Sequence, residues 1–563
     1  MARAAQEVLA LDWVQRDKHI IEGLDHLGIE VVSANIYADL LPGVTNVTDR
    51  ARYYAFYPWV LHRFAHARLA RADRKAWLTW FRRLEFAYAM ACAAWEASGK
   101  SGAHATAVVG VDAARRLIAG AKGKVDLRAR ADLDSSGKVP AGAYFKNPEG
   151  GLGQYYKVAL GILGLLREDE LSRIPDRQLT TYAGLKVART LDTQPAFARL
   201  VDLVDAGAAH VSELARLGEE VNPSAIALGG EEEQLLRNLF LGEDDDLCRG
   251  QEASARRGRR AALTLARRYV ADCGRLEGEF PREFRWACAD LALPDGKLWR
   301  LPEALREAAL AWGAYQRNDA MNYALESLFW VSMRRIDDGR FTPGAVARYV
   351  ADLSKGPVKT SEKHAGARPI DSQVAQWVAA CARDTGSAVG EPWGPNGTRA
   401  WAENLERAIR NEDDATVAQW AVRVLGRLVS DEASDQRRGR SRNVLEKVAR
   451  TYEVHIGALA SRAARRGTDS FATFVGDLVL EWVLFRHLRV AMRKLAAQGV
   501  STFKFRPEHG ALLRVTDKIP IPTYTNPRLR QAHRILTDLH CLSVDEAGAT
   551  EITADGALLI RKL

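Results

Sequence analysis

Apolar side chains recur at three- and four-residue spacing through nearly every long block of this 563-residue chain, and this period constrains the fold most strongly. Trp77, Phe81 and Leu84 give one example, and residues 301–336 repeat the pattern. Alternation of apolar and polar residues extends far enough for a hairpin only around 508–510. The sequence therefore predicts a mainly α-helical protein.

Polar and glycine-rich stretches separate the helical blocks, and a chain of 563 residues is too long for one hydrophobic core. We therefore expect a mainly α, multi-domain helical protein with a C-terminal winged-helix-like α+β module. The predicted divisions are an N-terminal helical domain at 1–120, helical domains at 121–240, 261–353 and 370–500, and the C-terminal module at 501–563.

The composition is that of an ordinary globular protein and excludes several classes. Hydrophobic residues make up 47% and charged residues 27% of the chain, and its six cysteines form no CxxC pair. Neither a zinc ribbon nor a dense disulfide framework is indicated, and no cofactor or metal motif is recognised. Residues 1–19 lack the pattern of a secretory signal, and charges interrupt the most apolar stretch, 77–95. We expect a cytoplasmic protein without membrane contact.

The C-terminal segment has the layout of a winged helix. A helix is predicted to start at Asn526-Pro527, and residues 542–552 could then form a two-stranded wing. Arg528, Arg530 and Arg534 are expected on or near the exposed side of that helix, where they could contact DNA phosphates. Their joint replacement should then weaken duplex binding and leave folding intact. The alternative is a winged helix used only for protein contact or packing.

A basic run near the middle of the chain is a second candidate for phosphate contact. It consists of Arg256, Arg257, Arg259 and Arg260. Clustered arginines bind phosphates in a salt-dependent manner. Three aspartates at 244–246 precede the run, so local neutralisation in a solvated loop is the competing interpretation. A further basic run at 437–442 follows acidic residues in the same way, and the net charge of +9 is small for the length.

Other motifs fall short of a catalytic signature. Residues 147–157 place glycines ahead of an apolar helix, and the N–H groups of such a loop can face an anion. P-loop spacing is missing, so we interpret this segment as a helix-entry loop. Asp290, Asp295 and Lys297 are the nearest match to a nuclease site, but Asp295 lies in a turn sequence. No catalytic residue is predicted.

An aromatic segment, RARYYAFYPW at 50–59, follows a Pro-Gly turn and the polar residues TNVTD. Aromatic residues at this density usually form a core, while Arg50 and Arg52 could fix the preceding loop or receive a phosphate or a partner's carboxylate. The stretch 28–64 that contains this segment, together with residues 150–166 and 480–510, resembles uncharacterised bacterial families of unknown function that often lie near restriction or phage-defence genes. The resemblance implies defence or DNA metabolism, and it carries over no catalytic residue.

Three functional hypotheses follow from the sequence. The first is a non-catalytic, DNA-linked accessory, adaptor or sensor subunit of a bacterial anti-phage defence system, with duplex DNA and proteins of the same operon as partners. The second is a metal-dependent nuclease effector whose dispersed active-site residues meet only in the fold. The third is a protein-binding scaffold that recruits an ATPase or a nuclease.

Overall fold

The computed structural model describes residues 25–66, 74–99, 107–121, 123–168, 178–357, 372–382, 393–394, 396–437 and 450–560. Helices account for 62% and strands for 7% of the structure. The prediction of a mainly α-helical protein is therefore confirmed. Among the described residues, no helix combines the length and the apolar character needed to cross a membrane.

The chain forms two compact units. Unit 1 comprises Met1–Ile36, Trp286–Trp299 and Leu310–Thr525. Unit 2 comprises Tyr37–Arg285, Arg300–Ala309 and Asn526–Leu563. Each unit is discontinuous in sequence, so the C-terminal residues share a unit with the aromatic segment at 50–59.

The helices of the first half of the chain are α1 (Glu30–Leu40), α2 (Tyr53–His66), α3 (Arg74–Ala97), α4 (Val111–Ala119), α5 (Lys157–Ile162), α6 (Tyr182–Asp192), α7 (Pro195–Ala206), α8 (Val211–Val221), α9 (Glu231–Leu241) and α10 (Ala253–Cys273). Those of the second half are α11 (Phe280–Asp290), α12 (Glu303–Asp337), α13 (Pro343–Ser354), α14 (Val374–Cys381), α15 (Thr398–Arg410), α16 (Asp414–Arg437), α17 (Ile456–Arg465), α18 (Phe471–Leu478), α19 (Arg486–Gln498), α20 (Leu529–Asp538) and α21 (Ala554–Ile560). A π-helical turn precedes α5 at Leu152–Tyr156 and another precedes α19 at Val479–Phe485.

The strands are short. They are β1 (Lys124–Asp126), β2 (Leu166–Glu168), β3 (Gln178–Thr180), β4 (Ala208–His210), β5 (Arg275–Leu276), β6 (Phe505–Glu508), β7 (Ala511–Arg514), β8 (Leu542–Val544) and β9 (Thr550–Ile552). Antiparallel pairs join β1 to β4, β2 to β3 and β6 to β7, and β9 lies between β5 and β8. The β6–β7 pair is the hairpin predicted around 508–510, with Glu508 opposite Ala511.

The core of unit 2 is built around α2, which packs against α6. Tyr53 stacks on Tyr57 with ring centroids 5.2 Å apart and meets Tyr156 at 5.0 Å, while Phe56 lies 4.6 Å from Tyr88. All five rings are buried. The prediction that the aromatic segment forms core is confirmed.

In unit 1 the helix α16 packs against α13, α14, α15 and α17. Its Trp420 lies 6.0 Å from Trp401 of α15, and Trp377 of α14 lies 5.6 Å from Phe474 of α18. These tryptophans are almost fully buried. Large apolar side chains at helical spacing therefore supply this core, as they do in unit 2.

Candidate functional site

Helix α20 carries the first group of predicted DNA-contacting arginines. It is capped by Arg528, whose backbone adopts the left-handed conformation with φ of 63°. One face is apolar and buried, as the sequence indicated, and it consists of Leu529, Ala532, Ile535 and Leu536. The contacts of the remaining faces therefore decide which arginines a ligand could reach.

A second face of α20 packs against residues 44–51 of the same unit. Gln531 Nε2 donates to the Asn46 carbonyl at 2.9 Å, and Arg534 Nη1 donates to Asp49 at 2.9 Å. The N-cap residue, Arg528, also contacts this segment, and its Nη1 donates to the Val44 carbonyl at 2.9 Å. Polar side chains spaced three residues apart thus form one internal stripe.

The stripe ends in a buried ion pair. The guanidinium of Arg50 lies 2.8 Å from the Asp538 carboxylate, and the Ala51 N–H donates to the same carboxylate at 3.0 Å. Burial raises the pKa of Asp538 above its usual value, and the charge of Arg50 opposes that shift. Asp538 therefore fixes the start of the aromatic segment.

The three arginines of α20 consequently differ in what they can bind. Arg528 is half-buried and lies over the Tyr37 ring at 5.1 Å, and burial lowers its pKa. Arg534 is paired with Asp49. Arg530 is exposed and has no partner among the described residues. Replacing all three arginines would therefore also remove the internal contacts that Arg528 and Arg534 make.

The arginines of the basic run on α10 divide in the same way. Arg259 has no exposed surface, and its guanidinium donates to the carbonyls of Phe240 at 3.0 Å and Leu239 at 3.2 Å. A phosphate in solution cannot reach it. Arg256 donates to the Gly242 carbonyl at 3.0 Å and pairs with Asp245 at 2.5 Å.

Arg257 is exposed and Arg260 is half-buried, and neither has a partner among the described residues. Together with Arg530 they are the members of the predicted set that remain open to a ligand. Arg438–Arg442 of the further basic run lie outside the described residues.

The glycine-rich loop at 147–157 does contact an acidic group, and that group is the Glu85 carboxyl of the protein itself. The Gly151 N–H donates to the Glu85 carboxylate at 3.1 Å, and the hydroxyls of Tyr57 and Tyr144 donate to it at 2.7 and 2.5 Å. Glu85 is fully buried, and burial raises its pKa. A Cβ at Gly150 would lie 2.1 Å from Glu85, so the loop is shaped around this side chain.

Unit 1 contains an acidic cluster that no local motif revealed, which we call the carboxylate cluster. It consists of Asp25, Glu30 and Glu326, whose nearest oxygens all lie within 4.8 Å of one another. Asp25 accepts the N–H groups of Ile29 at 3.1 Å and Glu30 at 3.0 Å and so caps α1.

Lysine and burial modify the charge of the carboxylate cluster. Lys494 Nζ donates to the Asp25 carbonyl at 2.7 Å and is almost fully buried. Burial first, and then the neighbouring carboxylates Asp25 and Asp319, raise the pKa of Glu30 to about 7. Three carboxyl groups facing one lysine can share protons or bind a divalent cation.

A pocket of about 530 Å³ opens beside the β6–β7 hairpin of unit 1 and is called here the hairpin pocket. Its lining residues are Ser501, Thr502, Phe503, Lys504, Arg506, Val515 and Thr516. Two cations and three hydroxyls line it without a carboxylate. The sequence predicted the hairpin but gave no signal for the pocket.

Comparisons with known proteins give no relative. No family model, no curated protein and no solved structure matches the chain.

Proposed function

We propose that this chain is a non-catalytic, DNA-linked accessory or adaptor subunit of a bacterial anti-phage defence system, acting in the cytoplasm. The link to defence is supported by the resemblance of residues 28–64, 150–166 and 480–510. The link to DNA is supported by one observation in unit 2, which is the order and pairing of the elements around α20.

The order and pairing of those elements support our proposal of a winged helix interrupted by a long insertion. Helix α10 is followed by β5 and the start of α11, and the chain resumes with α20 and the β8–β9 hairpin. Strand β5 pairs with β9, with Leu276 opposite Thr550, and α10 packs against β9. The Phe280 ring lies 5.0 Å from His533 of α20, which ties the two segments together. Winged helices commonly bind DNA or partner proteins.

The contacts of this module support a narrower DNA surface than the sequence suggested. The β8–β9 hairpin carries the carboxylates of Asp545 and Glu551, and Arg275 of β5 pairs with both. The polar stripe of α20 already contacts residues 44–51 of the protein, so its side chains are not open to DNA. Phosphate contact is therefore assigned to Arg257, Arg260 and Arg530, while Arg256, Arg259, Arg528 and Arg534 serve the fold.

Replacing these three open arginines together, in an Arg257→Gln, Arg260→Gln and Arg530→Gln variant, should weaken duplex binding. The slope of log affinity against log salt should flatten by roughly 0.9 for each phosphate that the variant no longer neutralises. Fluorescence anisotropy with a labelled duplex at several salt concentrations measures both quantities. Sequence preference should not change, because phosphate contacts do not read bases.

A matched control removes the same charge elsewhere in unit 2. Arg116, Arg189 and Arg216 are exposed and lie outside the winged-helix elements. Their triple Gln variant should retain affinity and salt slope. If DNA binding weakened equally in both variants, the loss would be explained by net charge alone. If DNA binding were unchanged in both, the scaffold hypothesis would be favoured.

The carboxylate cluster favours a second candidate function, a metal-dependent nuclease. Asp25 and Glu30 are separated from Glu326 by about three hundred residues of sequence, and Lys494 joins them only in the fold. Grouped carboxylates can hold the divalent cation of a metal-dependent phosphodiesterase, and a nearby lysine can stabilise negative charge that develops on the phosphate. Carboxylates that meet only in the fold support this second proposal.

Calorimetric titration with Mn²⁺ and a plasmid-nicking assay test this second function together. Glu30→Gln and Glu326→Gln should abolish both signals, while the exposed Glu453→Gln should retain them. Without metal, each cluster variant should be at least as stable as the parent, because one of three repelling carboxylates is gone. Binding without cleavage, or no binding, would reject the nuclease and leave the accessory role.

A further inference from the structure

The hairpin pocket has the chemistry of an anion site, and it belongs to unit 1, whereas every arginine assigned to DNA belongs to unit 2. Its two cations are Lys504 and Arg506, and its hydroxyls come from Ser501, Thr502 and Thr516. We propose that it binds the phosphate group of a nucleotide or an oligonucleotide. This proposal goes beyond the accessory function and does not depend on the winged helix.

The first argument concerns the free charge of the pocket. Lys504 has no ion-pair partner among the described residues. Arg506 has only Glu508, two residues away in sequence at 3.4 Å, and its side chain is 61% exposed. An exposed pair of this kind contributes little free energy, so a phosphate can displace it. Both cations are thus available to a ligand.

The second argument concerns the backbone of the pocket walls, which hydrogen bonds hold in place. The Lys504 N–H donates to His487 Nε2 at 2.9 Å, and the Val515 N–H donates to the Lys504 carbonyl at 2.9 Å. Arg514 donates to the carbonyls of Thr516 and Asp517, both at 2.6 Å. The backbone segments that carry Lys504 and Thr516 are therefore held in place before a ligand arrives, which reduces the entropic cost of binding.

The third argument concerns what the rest of the ligand would contact. Phe503 and Val515 are the apolar lining residues, and Phe503 is half-buried. An aromatic ring beside cations is how proteins hold a base next to its phosphate without reading sequence. A volume of about 530 Å³ is also within the usual range for small-ligand sites.

Titration calorimetry with pyrophosphate and with a short oligothymidylate tests the proposal on the full chain. Both probes should bind, and higher salt should weaken them. Lys504→Gln and Arg506→Gln should each weaken both probes by about tenfold, the effect of one charged hydrogen bond. Phe503→Leu should weaken the oligothymidylate alone by about tenfold, because stacking is removed and the phosphate contacts remain.

The control is Lys518→Gln, which removes an exposed lysine near the pocket that does not line it. It should bind like the parent, and circular dichroism should show all variants folded. Binding of pyrophosphate alone would identify a free phosphate as the ligand, and weaker oligothymidylate binding by Phe503→Leu would identify a nucleic acid. Absence of binding by both probes, or equal weakening in the Lys518 control, would overturn the proposal.

Discussion

Replacing Arg52 with Met is expected to lower the free energy of unfolding of unit 2 by about 3–5 kcal/mol, the usual cost of breaking a buried ion pair. Arg52 is 1% exposed and binds the Glu232 carboxylate through two hydrogen bonds of 2.9 and 2.8 Å. It also donates to the carbonyls of Glu220, Asn222 and Ala225 at 2.8 to 2.9 Å. Removing it leaves the buried Glu232 carboxylate without its cation and takes a donor from three backbone carbonyls.

Urea unfolding followed by circular dichroism measures this destabilisation, and hydrogen exchange of peptides from α2 and α9 shows whether it falls in unit 2. The double variant Arg52→Met with Glu232→Leu should be destabilised by less than the sum of the single variants, because the unpaired charge is then absent. The exposed pair Arg249 and Asp246 is the control, and Arg249→Met should cost no more than about 1 kcal/mol. Equal effects at Arg52 and Arg249 would contradict the structural role.

Arg52 also shows where sequence reasoning stops. The density of aromatic residues at 50–59 was enough to predict a core, because burial of such rings follows from their size alone. The partner of Arg52 lies 180 residues away, and no local pattern indicates it. Only the three-dimensional structure therefore distinguishes the structural role of Arg52 from a ligand-binding role.

The same limit applies to the arginines of α20. Its apolar face was readable from the spacing, and so were strands β8 and β9 and the hairpin at 505–514. The polar stripe could not be predicted from the spacing, because polar side chains occur both on a face that contacts residues 44–51 and on a face that contacts water. Arg534 thus pairs with a residue 485 positions earlier in the chain. Periodicity identifies the buried apolar face and leaves the other faces undetermined.

Sites assembled from distant segments were the least accessible to sequence analysis. From the sequence alone, Asp25 and Glu30 are interpreted as residues at the start of a helix, and Glu326 is interpreted as a single charged residue on a long helix. Only the fold brings their carboxylates within 4.8 Å. The discontinuity of both units has the same origin, since shifts in composition along a chain mark segments and do not show which segments pack together.

Truncating Trp59 to Ala should cost unit 2 about 3–5 kcal/mol, the range for large aromatic deletions in a core. Trp59 has no exposed surface and packs on Phe197 with ring centroids 5.2 Å apart. Its indole N–H donates to Asp192 at 2.9 Å, so truncation also leaves that carboxylate short of one donor. The cavity accounts for most of the expected destabilisation, because the surrounding helices can relax only in part.

Two further variants separate the cavity from the hydrogen bond. Trp59→Phe keeps an aromatic ring but removes the N–H, and it should cost clearly less than the Ala variant, with about 1 kcal/mol due to the missing hydrogen bond. Tyr182→Ala removes a ring that is 61% exposed in the same unit and should stay within about 0.5 kcal/mol of the parent. Urea unfolding with hydrogen exchange of α2 and α6 peptides measures all three. Parental stability in Trp59→Ala would place this segment on a surface and restore a binding role to the RARYYAFYPW element.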